Sequence, residues 1–149
     1  MDNLQALVIN DFIRLTERVA NGKTNMLNFG SGMTFYRGEI HMIQMVGDCP
    51  GIYISEMARA FHITRAVVAK TVRKLESRGL VIKTSDHEDK KRLRLFLTEK
   101  GSEAYSLHHQ YHQQSDRPLF VYLESLSESE LHTLREFLRH ANNLVENHY

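Results

Sequence analysis

Nine histidines in a chain of 149 residues are the first groups with chemistry to offer. His108 and His112 stand four positions apart in a stretch with helical patterning, so both project from one face about a turn apart. Two neutral imidazoles at that spacing form a recurrent zinc-binding pair. The same pair can serve as a pH-sensitive element, or sit as partly buried polar residues satisfied by tyrosines such as Tyr36, Tyr105 or Tyr111. His109 points elsewhere on a helix, and His62 and His87 fall in short connections suited to solvent or phosphate. Cys49 precedes Pro50 in a loop and has no basic neighbour in sequence to lower its pKa, so no redox role is expected of it. Nothing resembles a nucleophile elbow, a phosphate loop or a frame of paired acids. An enzyme is not expected, and no cofactor is required.

The second chemistry is electrostatic. The net charge is +1, but residues 59–100 hold twelve of the nineteen Lys and Arg and only five of the eighteen acids. A basic middle on an otherwise acidic chain points to a nucleic-acid partner, with a solvated helix face as the plainer alternative.

These groups need elements to position them. Apolar residues at Leu4, Leu7, Val8, Phe12, Leu15 and Val19 predict a first helix, and the polar segment NGKTNMLNFGSG (21–32) a loop. Residues 34–46 return to helix with Ile40, Ile43 and Val46 on one side, and GDCPG (47–51) breaks it. The stretch 54–80 then reads as two helices joined by the turn AFHIT. Ser55 starts the first, which carries Met57, Ala58 and Phe61 inward. Thr64 caps the second, with Val67, Val68, Val72 and Leu75 at core spacing and Gly79 at its end. LVIKTSD (80–86) and KRLRLFLT (91–98) alternate apolar and polar residues and predict a β-hairpin. Residues 99–124 are helical with an interruption at Pro118. A capping box of Ser127 and Glu130 opens a last helix, whose apolar stripe runs from Leu131 to Val145. The expected fold is mainly α with a small two-stranded β wing: a winged helix-turn-helix at 34–100, with helical parts at 1–33 and 101–149 in a single domain of 1–149.

In a helix-turn-helix the second helix enters the major groove, and its N-terminal residues meet the base edges. Those residues are Thr64, Arg65 and Ala66, with Lys70 one turn on; Arg65 can fork onto guanine. Lys70, Arg73 and Lys74 reach for phosphates further along. Lys90, Lys91 and Arg92 form a basic wing tip suited to the minor groove, and Arg94 alternates outward on the returning strand. Asp86 and Asp89 suit the loop backbone as turn-forming carboxylates, and Asp89 can equally hold a neighbouring basic side chain in position.

From Ile54 to Gly101 the chain resembles the core of the MarR family of transcriptional regulators. VVAKTVRKLESRGLV and DHEDKKRLRLFLTEKG carry the likeness, with Asp86, Asp89, Leu97, Thr98 and Gly101 in the family's register. Lys91 departs from the arginine usual there but keeps the charge. The resemblance implies a homodimer built by the first and last helices of each subunit. Its two recognition helices would lie one turn of DNA apart, about 34–36 Å, on a palindromic operator. It implies a repressor governed by a small-molecule or metal effector that changes the spacing of those helices.

The resemblance also brings His41 to the pair His108 and His112, because zinc-responsive members carry ligands at similar positions. Those members add a carboxylate from the N-terminal region. NGKTNMLN holds no acid, so Glu17, Glu39 or water would complete the shell, and Glu39, two residues from His41, is poorly placed for it. A winged-helix module for protein interaction is the alternative of another class. The start MDNLQALVIN lacks the basic opening of a signal peptide, and no apolar run approaches the ~20 residues that span a bilayer. A cytoplasmic protein with no membrane partner is expected.

Overall fold

The computed structural model describes residues 3–22, 26–28 and 32–148. Within them, helical apolar spacing becomes α1 (Leu4–Asn21), α2 (Arg37–Asp48), α3 (Ile54–Phe61), α4 (Arg65–Ser77), α5 (Glu99–Ser115), α6 (Arg117–Glu124) and α7 (Glu128–His148). Five short strands accompany them: β1 (Met26–Asn28), β2 (Thr34–Tyr36), β3 (Ile52–Tyr53), β4 (Val81–Ser85) and β5 (Leu93–Leu97). The chain divides into two compact units, residues 1–109 and 110–149.

Local signals acted where expected. Thr64 caps α4 by accepting the N–H of Val67 at 3.2 Å. Gly79 follows α4 at φ +73°, a left-handed conformation that glycine adopts without strain. Pro118 stands in the first turn of α6, where its missing N–H costs nothing, so it divides two helices instead of kinking one. Ser127 and Glu130 exchange hydrogen bonds at the start of α7, Glu130 N–H to Ser127 Oγ at 3.2 Å and Ser127 N–H to Glu130 Oε2 at 2.7 Å.

The sheets exceed the expectation. β4 and β5 pair antiparallel with Lys83 opposite Leu95, and β3 adds a third strand on the other edge of β5, Tyr53 opposite Arg94. A two-residue strand carries too little pattern to stand out from its flanking turn. β1 and β2 form a second small ladder where the sequence suggested loop and helix start. Residues 23–25 and 29–31 of the expected loop lie outside the described residues. The first helix of the helix-turn-helix begins at Ile54 and not at Ser55, and Glu56 caps it by accepting the N–H of Tyr53 at 3.2 Å.

Residues 33–107 build the core. Ile40, Ile43 and Val46 of α2 meet Met57 of α3, Val68, Val72 and Leu75 of α4, and Leu80, Val81 and Leu95 of the wing, each 1% exposed or less. Val67 does not join them: it is 49% exposed, a correction to its expected core place. The Leu-Thr-x-x-Gly stretch has a mechanical reason. Thr98 Oγ1 donates to Gly79 O at 2.6 Å and accepts Gly101 N–H at 3.0 Å. A Cβ on Gly101 would collide with the carbonyl of Leu80, so only glycine lets α5 start so close to the wing.

Candidate nucleic-acid interface

The turn between α3 and α4 sets the angle of the second helix. His62 takes it in the left-handed region, φ +53° and ψ +42°, with Ile63 N–H bonded back to Ala58 O at 3.1 Å. With Val68, Val72 and Leu75 turned inward, α4 presents Ala66, Val67, Lys70, Arg73 and Lys74 to solvent. Thr64 and Arg65 at its start are exposed too. The expected base-reading and phosphate-reaching residues of this helix therefore share one accessible surface.

Arg65 stands to one side of that surface, over a cleft of about 480 Å³ between the starts of α3 and α4 and the wing. Arg59, Arg65, Lys91 and Arg92 line it together with Ser55 and Tyr53. Four cations around one open cleft create a strong positive potential, the condition for holding phosphate. Arg59 is not among the residues expected at the site, and Ser55 is expected only as a helix start. Both lie on α3, which only the folded turn brings beside the wing.

The wing is held by a small polar network. The Tyr53 hydroxyl donates to Asp86 Oδ2, and Asp86 Oδ1 accepts Glu88 N–H at 3.3 Å. The Tyr53 bond, then that backbone N–H, hold the Asp86 carboxyl below the usual carboxylate range, and the carboxylate in turn pushes the Tyr53 phenol up. Asp89 Oδ1 accepts Lys91 N–H at 3.0 Å, which favours the turn-forming one of its two expected roles. Arg94 alternates away from the buried Leu95, but its guanidinium turns back onto the wing. It donates to Gly51 O at 3.2 Å, lies 3.7 Å from Asp86 Oδ2 and sits 4.6 Å from the Tyr53 ring centroid. Arg92 stacks on the same ring at 3.6 Å, beside the cleft. Lys90 and Lys91 at the tip are exposed.

Lys74 has a second partner. Glu39 at the start of α2 is 5% exposed, and its Oε1 accepts Tyr36 N–H at 2.8 Å. Its Oε2 faces Lys74 Nζ at 3.2 Å and Arg78 Nη1 at 3.6 Å, out of hydrogen-bond alignment with either. Arg78 also donates to Thr34 O at 2.7 Å and lies over the Phe35 ring. The far end of the recognition helix is thus fastened to α2 by a desolvated carboxylate.

The histidines gather on α2 and α5. The His41 and His108 ring centroids lie 5.7 Å apart, and His108 is buried at 2% exposure. His112 follows one turn along α5. One side-chain nitrogen from each of the three lies within 4.8 Å of the others. Asp116 Oδ2 accepts His112 Nδ1–H at 3.0 Å, which selects the tautomer with its lone pair on Nε2. That carboxylate lies one further turn on and was missed, although i, i+4 spacing marks it. Of the tyrosines expected beside these histidines, Tyr111 meets His112 edge-on with ring centroids 5.9 Å apart, whereas the Tyr105 hydroxyl donates to Asp48 at 2.7 Å and its ring stacks on His109.

Comparison with known proteins agrees with this arrangement. The sequence profile of the MarR family matches residues 35–93, from β2 to the start of β5. The HTH-type transcriptional regulator YhjH of Bacillus subtilis is 29% identical over 102 residues, which span 68% of this chain and 58% of the relative. YybA, another HTH-type transcriptional regulator of Bacillus subtilis, is 25% identical over 93% of this chain and 91% of its own. ZitR of Lactococcus lactis, a zinc-responsive MarR family member, shares the fold at a TM-score of 0.79 and 16% identity, with 96% of this chain and 99% of that one covered. ZitR has also been solved in complex with DNA. Among the described residues no helix is long and apolar enough to cross a membrane. The profile spans α4, the residues that line the basic cleft and the first strand of the wing: residues 35–93 match the MarR family model, and the chain shares the winged helix-turn-helix fold of MarR family structures.

Proposed function

We propose that the protein is a homodimeric, sequence-specific repressor whose hold on a palindromic operator is set by an effector. The observation that carries this reading is the cleft of Arg59, Arg65, Lys91 and Arg92 beside the exposed face of α4. Arg65 and Thr64 meet base edges, while Lys70, Arg73 and the wing tip hold phosphates. Exposed apolar side chains support a dimer: Leu4, Leu7, Leu15 and Val19 on α1, and Leu119, Phe120 and Val121 on α6. So many large apolar groups in water favour a second copy as their cover. An effector acts only through different affinities for two spacings of the recognition helices. Duplex DNA titrated at stepped salt tests the reading. Steep linear loss of affinity with log salt is expected, and a flat response would favour a protein-interaction module. Arg65→Ala should lose operator discrimination while sedimenting as a dimer, and unchanged discrimination would remove Arg65 from the reading set.

A second reading, favoured by the histidine cluster, makes zinc the effector. Three imidazoles within 4.8 Å suit a borderline-soft divalent ion, and the Asp116–His112 pair is the carboxylate–imidazole arrangement that accompanies bound zinc. Glu39 is engaged with Lys74 and Arg78, so Glu17 or water would complete the shell. ZitR, with the same fold, is zinc-responsive. Zinc titrated into tag-free protein tests this reading against a His108→Ala, His112→Ala double variant. Stoichiometric binding lost in the variant supports it. No binding by the native protein assigns the histidines a structural role and the effector to organic chemistry.

A further inference from the structure

We infer that Val67 is a specificity-determining residue that reads the C5-methyl group of a thymine. The inference rests on the reading of α4 as the base-reading helix.

Val67 is 49% exposed, whereas its neighbour Val68 is fully buried. Ile63, one turn earlier, is 37% exposed, and Ala66 is exposed between them. An exposed valine alone would call for no explanation. Here, however, three exposed apolar residues cluster in sequence where the turn runs into the recognition helix, with Arg65 before Val67 and Lys70 after it. Methyl groups framed by cations match the major-groove edge of an A·T pair, where the thymine methyl stands between flanking phosphates. An acidic protein surface would match the cations but leave the methyls in water.

The position is also held firmly. Val67 N–H donates to Thr64 Oγ1 at 3.2 Å, and Val67 O accepts the Thr71 hydroxyl at 3.2 Å. A β-branched side chain in a helix keeps essentially one χ1 rotamer, so its two methyls are fixed before DNA arrives. Arginine and lysine beside it are long and pliant; valine supplies the rigid part of the surface. It discriminates thymine from cytosine, which lacks the methyl.

The test begins with selection of binding sites from a random duplex pool by the native protein. Each thymine of the selected site is then replaced in turn by deoxyuridine, which removes the methyl and keeps the base pairing. Affinities are measured by fluorescence anisotropy for the native protein and Val67→Ala. Alanine raises helix propensity, so the variant is expected to fold, and its circular dichroism verifies this. At one position per half-site, uracil should weaken the native protein about fourfold, the loss expected for one buried methyl. Val67→Ala should bind the thymine and uracil duplexes equally there. A native affinity indifferent to every replacement, or an equal uracil penalty in Val67→Ala, would overturn the inference alone. Failure to select any site would overturn the functional reading and this inference together.

Discussion

Asp86 shows how one carboxylate can matter beside a basic cleft without lining it. Its carboxyl is held below the usual range chiefly by the Tyr53 hydroxyl, so the native state binds that proton less readily than the unfolded chain. The resulting stabilisation is present in full above the ordinary carboxylate pKa of about 4 and is lost as pH falls through the lowered native value. Asp86→Asn should therefore lower the melting temperature at neutral pH and narrow the gap to the native protein below about pH 4. Thermal melts across pH 2–7 check this, and a pH-independent gap would count against it. The two wing arginines separate in the same way. Arg92 lies along the cleft, whereas Arg94 is tied to Gly51 O and Asp86. Arg92→Ala should reduce the salt slope of DNA binding by about one phosphate contact. Arg94→Ala should instead destabilise the wing and leave the slope nearer its native value, as paired salt titrations and melts would reveal.

At the scale of elements, what the sequence made legible was local. Thr64, Gly79, Pro118 and the Ser127–Glu130 box act within a turn of their own positions, so residue type and spacing identify them. Strand β3 depends on pairing with β5 some forty residues later, and two residues cannot advertise that. Val67 was misread for a geometric reason: adjacent residues differ by about 100° around a helix, so Val67 and Val68 cannot both face the core. The residues of α4 expected to contact DNA recur on one helix face, so their shared exposure is legible from spacing alone. The place of Arg59 and Ser55 at the cleft is not, because their neighbours there are distant in sequence. Glu39 was weighed only as a ligand for metal, yet its partners are Lys74 and Arg78. Gly101 gives this scale its sharpest prediction. A methyl there meets the backbone carbonyl of Leu80, which cannot swing aside, so Gly101→Ala should cost about 1–3 kcal/mol despite alanine's better helix propensity. Urea unfolding measures it, and a neutral or stabilised variant would contradict the close packing of α5 on the wing.

At the scale of the whole molecule, the net charge of +1 conceals two opposed bodies. Residues 1–109, which include the cleft, α4 and the wing, hold sixteen Lys and Arg against twelve acids, while residues 110–149 hold three against six. Charged encounter is steered over roughly a Debye length, about 10 Å at 0.1 M salt. The association rate with duplex DNA should accordingly fall with added salt, as stopped-flow mixing at stepped ionic strength would show; a salt-independent rate would rule steering out. The opposed charges have one more effect. A phosphate backbone attracts the basic unit and repels the acidic one, so residues 110–149 subtract from the long-range attraction that residues 1–109 supply.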